Sequence, residues 1–186
     1  MKFCNQCGEP VRLAVPAGDD RPRHVCGACA TVHYQNPRVI TGCIPVHGDR
    51  ILLCRRSIEP RRGFWTLPAG FLEEGETVAE GAMRECLEEA NARVTLDGLY
   101  GVYDILHIGQ LYLFHRATLT DLDFYPGDES LETALFREEE IPWDDLAFRV
   151  ITLVLRDYFA DRRAGTFALK QGAIHGPPPQ GAGFAP

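Results

Sequence analysis

The sequence has no apolar run approaching the about 20 residues that a membrane-spanning helix needs; its longest purely apolar stretches are only a few residues. It also has no positively charged leader followed by an apolar stretch, because Cys4 comes almost at once. A cleaved secretory signal is therefore not expected, and the cytoplasm is the expected compartment. A basic excess is missing too. Lys and Arg number 19 against 26 Asp and Glu, for a net charge of −7. That balance argues against broad binding to nucleic-acid backbones, and it admits a small anionic substrate only where metal ions reverse the sign locally. No internal repeat is present. What remains, 186 residues of which 45% are hydrophobic and 24% charged, is the composition of one ordinary soluble domain with room for a small accessory module.

Three textures follow one another along the chain. Residues 1–37 are polar, rich in Gly and Pro, and carry paired cysteines; residues 38–163 show the apolar periodicities of a folded α/β unit; residues 164–186 form a Gly/Pro-rich tail that can bury little. In the middle region, Arg38–Val46 and Arg50–Cys54 predict a hairpin across His47-Gly48-Asp49. Phe64–Leu67 predicts a short strand ending at Pro68-Ala69-Gly70. Thr77 with Glu80 three residues on is a capping-box signal for a helix over 78–91. Leu99–Leu106 and Gln110–Leu119 read as paired strands, Leu131–Phe136 as another, and residues 144–162 as a last helix stopping before Gly165. Strands with helices on more than one side imply a mixed sheet in an α/β layered domain.

Seven cysteines without a signal peptide read poorly as a disulfide framework. Cys4-Asn-Gln-Cys7 and Cys26-Gly-Ala-Cys29 are two knuckles separated by 18 residues. Four thiolates at this spacing suit a closed, structural tetrahedral Zn²⁺ site, with disulfides or a redox pair as the alternatives. So small and polar a segment could hardly fold without the metal. Residues 1–37 hold four basic and three acidic residues, so a structural or dimer-supporting role is expected over nucleic-acid binding. His24 and His33 flank the second knuckle and are expected at the surface, with a surplus ligand as the alternative. Cys43, Cys54 and Cys86 lie in apolar segments and are expected in the core.

The stretch that carries chemistry is Gly70-Phe-Leu-Glu-Glu-Gly-Glu76, followed by Arg84-Glu85-Cys86-Leu87-Glu88-Glu89. On a helix Glu85, Glu88 and Glu89 share one face and repel one another. Hard divalent cations remove that repulsion, since carboxylate oxygens are the ligands Mg²⁺ prefers. Arg84, one turn before Glu88, can tie the carboxylates into a fixed network.

These residues resemble the box of the Nudix hydrolase family: Gly, five residues, Glu, seven residues, Arg-Glu, an aliphatic, any residue, Glu-Glu, any residue, Gly. The match covers Gly70, Glu76, Arg84, Glu85, Glu88 and Glu89; Cys86 stands at the aliphatic and Asn91 at the last glycine. The resemblance implies a Nudix-type α/β/α sandwich with a mixed sheet, preceded by a small zinc ribbon. It implies Mg²⁺ or Mn²⁺ held by Glu85, Glu88, Glu89 and the carbonyl of Gly70 or Ala69, and water attack on a diphosphate that releases a nucleoside monophosphate. The general base is expected at Glu129 or Glu132. Nudix-type NADH pyrophosphatases carry a Ser-Gln-Pro-Trp-Pro-Phe-Pro array after the box, and none follows Ala92. The chain is more similar to the ribbon-bearing subgroup that includes a plant chloroplast enzyme hydrolysing FAD and ADP-ribose, through His33–Pro37, Trp65–Gly70, Ile108–Gln110, Pro126–Glu132 and Glu140–Phe148.

FAD or ADP-ribose is accordingly the expected substrate. Arg62 and Trp65 are the first candidates to bind it, within the wider sets Arg55, Arg56, Arg61 and Phe64, Tyr100, Tyr103, Tyr112. A non-catalytic sensor of the same ligand, or an NADH pyrophosphatase, is the alternative. A homodimer is compatible with this reading.

Overall fold

The chain is described here by a computed structural model over residues 1–176, which divide into two units, residues 1–37 and those from Arg38 onward. In the first unit β1 (Val11–Ala14), β2 (Arg23–Cys26) and β3 (Val32–His33) form an antiparallel sheet. Its fully buried side chains are Cys4, Cys26 and His33. The unit thus has sulfur where a larger domain has an aliphatic core, as expected of a segment too small to fold by apolar burial alone. His33, expected at the surface, is buried because its Nε2 lies 3.3 Å from Cys4 Sγ.

In the second unit β4 (Arg38–His47) and β5 (Arg50–Arg56) form the expected hairpin, and both carry near-continuous apolar runs. Such runs belong to strands covered on both faces. The short β6 (Trp65–Thr66) and β7 (Ala69–Phe71) lead into α1 (Val78–Ala90). β8 (Val94–Ile105), β9 (Gln110–Leu119), β10 (Ser130–Phe136), α2 (Arg149–Ala164) and β11 (Lys170–Ile174) follow. The sheet runs β10-β5-β4-β9-β8-β11, with β6 on β5 and β7 on β4. β4 is parallel to β9 and β8 to β11, so the sheet is mixed. Consecutive residues of β4 face opposite layers: Cys43 meets Ala82 and Cys86 of α1, while Ile44 joins Val154 and Leu155 of α2. The result is an α/β/α sandwich.

β8 begins at Val94, five residues before the expected start, along β9; three further features depart from the sequence-based expectation, each through long-range pairing. Pro68 cannot donate a ladder hydrogen bond, yet it does not end the strand region. The chain steps across from β5 to β4, and Pro68 O accepts from Cys43 N at 3.1 Å. The last helix starts at Arg149 rather than 144, because Ala147 N is taken by Trp65 O at 2.7 Å and Leu146 bridges to Trp65. Finally, Lys170–Ile174 lies within the segment expected to be a loose tail but forms a strand along Gly101–Ile105, anchored where Lys170 meets Asp161 at 2.7 Å. The remainder of that segment, 177–186, lies outside the described residues.

Candidate functional site

α1 is built as its ends predict. Thr77 Oγ1 accepts from Glu80 N at 3.2 Å and Thr77 N donates to Glu80 Oε2 at 2.8 Å, closing the capping box. At the other end Asn91 adopts a left-handed conformation (φ 48°), the geometry that glycine most often supplies. Between these ends the helix buries Ala82, Cys86 and Ala90, but also Glu85 and Glu89. Burying two carboxylates on one helix face is costly unless a cation compensates.

Arg84 compensates in part. Its guanidinium reaches Glu76 Oε1 at 2.7 Å, Glu85 Oε1 at 2.7 Å, Glu88 Oε2 at 2.8 Å and the Phe71 carbonyl at 3.0 Å. It holds Glu76 down to about 2. Glu85 is nevertheless raised, chiefly by burial. Glu89, which Arg84 does not contact, is pushed up to about 8 by burial and by the neighbouring Glu85 charge. Gly70 approaches so closely that any side chain on it would collide with the Glu85 carboxylate. Among the described residues no trio of carboxylate oxygens draws within 4.8 Å of one another; Glu85 and Glu88 share one nitrogen of Arg84, and Glu89 stands apart from it.

These groups border a cleft of about 1120 Å³ lined by Gly70, Arg84, Glu85, Glu88 and Glu89, and on its other walls by Arg56, Tyr112, Tyr125, Glu129 and Phe148. The loop bearing Glu129 is clasped to the end of α1. Tyr125 N donates to Ala90 O and Gly127 N to Glu89 O, each at 3.0 Å, while Asn91 Nδ2 donates to Tyr125 O and Pro126 O at 3.2 and 3.4 Å. Gly127 lies against the Glu88 carbonyl, with no room for a Cβ. Glu129 is thereby brought to the cleft.

Other expected residues are not. Glu132, past a register shift in β10, pairs with Arg55 at 3.6 Å outside the cleft. Trp65 packs edge-on against Phe136 at 4.9 Å. Arg62 is exposed and does not line the cleft. Tyr100 and Tyr103 are core residues donating to Asp161 and Asp157. Of the candidate sets, Arg56 and Tyr112 do line the cleft. Tyr125 and Phe148 were not picked out from the sequence. Phe148, in the Glu140–Phe148 segment, carries the Arg56 guanidinium 5.2 Å from its ring, a cation–π pairing without a local sequence signal.

In the first unit the sulfurs of Cys4, Cys7, Cys26 and Cys29 all lie within 4.8 Å of one another, with Cys7 at 3.5 Å from both Cys26 and Cys29 and Cys4 at 3.6 Å from Cys29. A tetrahedron with metal–sulfur bonds of ~2.3 Å has sulfur–sulfur edges of about 3.8 Å. The Thr31 hydroxyl brings the Cys29 thiol down to about 6, while the Cys7 thiol, facing Cys26 and Cys29, is pushed up to about 12; metal binding requires these protons to leave. Cys43, Cys54 and Cys86 are buried in the second unit.

Comparison with known proteins agrees with this layout. A zinc-ribbon profile described as Nudix N-terminal matches residues 2–35, and the NUDIX domain profile matches residues 36–152. A crystal structure of a NUDIX hydrolase from Nitrosomonas europaea is 57% identical and superposes with a TM-score of 0.90, covering 94% of this chain and 99% of that one. The NAD-capped RNA hydrolase NudC of Edwardsiella ictaluri is 36% identical over 96 residues, 50% of this chain and 34% of that protein. An ADP-ribose pyrophosphatase of Methanocaldococcus jannaschii is 40% identical over 70 residues, 38% of this chain and 41% of that protein. The chain thus spans about a third of the length of the NudC relative. With both profiles matched in order and the carboxylate-lined cleft in place, the chain belongs to the Nudix hydrolase family, as a member with an N-terminal zinc ribbon.

Proposed function

We propose that the chain hydrolyses the diphosphate linkage of a nucleoside diphosphate derivative, with FAD and ADP-ribose as the leading substrates, and releases a nucleoside monophosphate. The observation that carries this reading is the set of carboxylates at the cleft: Glu85 and Glu89 buried without enough compensating charge, and Glu88 beside them. An all-oxygen donor set with excess negative charge fits a hard cation, Mg²⁺ or Mn²⁺. Glu85, Glu88 and Glu89, with the backbone carbonyl of Gly70, would hold it. When bound, such an ion supplies charge neutralisation for the diphosphate and activation of water. The chain's own residues do the rest. Arg84 fixes the orientation of Glu76, Glu85 and Glu88; on this reading Glu129, which borders the cleft on the loop clasped to α1, accepts a proton from the attacking water. Zn²⁺ at Cys4, Cys7, Cys26 and Cys29 would be structural.

The substrate reading draws support from the ADP-ribose pyrophosphatase relative and from the missing array after Ala92. A second reading, NADH or NAD-capped RNA, is favoured by the similarity to NudC enzymes. A panel of FAD, ADP-ribose, NADH and NAD-capped RNA, incubated with Mg²⁺ or Mn²⁺ and read by chromatography of the released mononucleotide, separates the two. Absence of turnover on every member would reject the enzymatic reading in favour of a ligand sensor. Turnover undiminished in Glu89→Gln would reject the metal-site assignment.

A further inference from the structure

The four sulfurs of the first unit do not share one environment. Those of Cys4 and Cys26 are buried, those of Cys7 and Cys29 exposed. Four thiolates outweigh the charge of a divalent metal. The excess is hardest to hold on a sulfur cut off from water, which needs hydrogen-bond donors in its place. The backbone meets part of that need at Cys4. Cys4 N donates to Glu9 O at 2.8 Å and Gly8 N to Cys4 O at 3.0 Å, which fixes the residue, and Gln6 N reaches Cys4 Sγ at 3.4 Å. The rest comes from across the ribbon. His33 ends β3, where it pairs with His24 of β2; its ring is buried, with Nε2 3.3 Å from Cys4 Sγ.

The ring stands beside the sulfur cluster and not in it. A nitrogen bound to the same ion would lie within about 4.4 Å of every sulfur, given bonds of ~2.1 Å to nitrogen and ~2.3 Å to sulfur. The four sulfurs all lie within 4.8 Å of one another, and the His33 nitrogens do not belong to that set. A metal-bound thiolate has no proton to give, so the nitrogen is the donor and the ring carries its proton on Nε2. We infer that His33 is a positioning residue of the ribbon's metal site: its Nε2–H donates to the Cys4 thiolate, keeps that sulfur at its corner of the tetrahedron and slows loss of the ion. The inference rests on the proposed Zn²⁺ and is independent of the proposed hydrolysis.

The test uses the full chain loaded in turn with Zn²⁺, Co²⁺ and NMR-active Cd²⁺. Transfer of zinc to a chromogenic chelator should be roughly 10–100-fold faster in His33→Phe, the range over which groups that orient metal ligands act. His33→Gln, which keeps an N–H donor, should stay close to the parent. With Co²⁺ the sulfur-to-metal charge-transfer band should move to lower energy in His33→Phe, because the thiolate regains charge. The d–d bands should keep their tetrahedral, all-sulfur positions, because the ring leaves a sulfur and not the metal. In the unmodified chain cadmium should couple through Cys4 to the Hε2 proton of His33, which decides the matter even if His33→Phe does not fold. Any of four results would overturn the inference: zinc transfer unchanged in His33→Phe, His33→Gln as damaging as His33→Phe, no coupling to the Hε2 proton, or cadmium coupled directly to a ring nitrogen, which would make His33 a ligand. A parent chain that binds none of the three metals would reject the zinc site and the inference with it. Absence of turnover on every dinucleotide, with the metal results as expected, would reject the proposed activity and leave the inference standing.

Discussion

Glu89 offers a stability measurement that reports directly on the burial of the carboxylate cluster. Its carboxyl titrates at about 8 in the folded, metal-free chain against an ordinary value of 4.5. A carboxyl raised on folding stabilises the fold only while protonated. The stability is present below pH 4.5 and is lost progressively as pH rises to about 8. At pH 7 the shift corresponds to about 3 kcal/mol, at 1.36 kcal/mol per pH unit, as an upper figure. Glu89→Gln removes the charge while keeping the shape. In metal-free buffer near neutrality the variant should be more stable than the parent by about 2 kcal/mol, or roughly 4–8 °C in Tm for a chain of this size. The gain should vanish at about pH 4.5. Added Mg²⁺ should raise the parent's Tm and release protons, and leave the variant's Tm nearly unchanged. Differential scanning fluorimetry across pH, with and without Mg²⁺, reads all of this. A variant no more stable than the parent at about pH 8, or a gain independent of pH, would refute the claim that Glu89 is buried at an energetic cost.

Three further outcomes are expected. Arg84→Lys keeps one charge but loses the fork that reaches Glu76, Glu85 and Glu88; kcat should fall roughly 10–100-fold, as for groups that orient metal ligands, with an unchanged circular-dichroism spectrum. Asn91→Gly retains the left-handed helix end but gives up the side-chain bonds to Tyr125 O and Pro126 O. Because these hold the Glu129 loop, kcat should fall severalfold with KM nearly unchanged and a stability loss of about 1 kcal/mol; a change confined to KM would disconnect the clasp from catalysis. Cys26→Ser, or chelation of bound metal, should abolish zinc by elemental analysis and collapse the amide dispersion of residues 1–37 in NMR; retained dispersion without zinc would show that the first unit folds on other contacts.

The features legible in the sequence are those encoded within one or two turns of chain. Thr77, Glu80 and Asn91 mark the ends of α1 because caps act over three or four residues, and the spacing of Glu85, Glu88 and Glu89 sets their common face by helical geometry alone. The opposite walls of the cleft obey no such local rule. Phe148 lines it because Trp65 O captures Ala147 N and delays the start of α2, a contact between segments far apart in the chain. Glu129 reaches the cleft and Glu132 does not because a register shift in β10 separates them. β11 carries no strand signal of its own, because an edge strand needs little apolar character when β8 supplies the ladder. Arg62 follows from its nearness to Trp65 in sequence and Trp65 from its aromatic face, but Trp65 packs on Phe136, and neither residue lines the cleft.

The parallel pairing of β4 with β9 has a consequence for how the cleft comes into being. Arg38 lies beside Gln110, and the hairpin of β4 with β5, β7 and all of α1 are synthesised between them. The glutamates of α1 therefore belong to the earlier half of this unit, whereas Tyr112, Glu129 and Phe148 belong to the later half. Pairing over such sequence separation is slow, since loop closure must be met before the contacts reward it. The cleft is complete only once the two halves have paired. A nascent or partly unfolded chain would display its row of carboxylates without the walls that face them, so that the proposed selectivity and catalysis require the completed sheet.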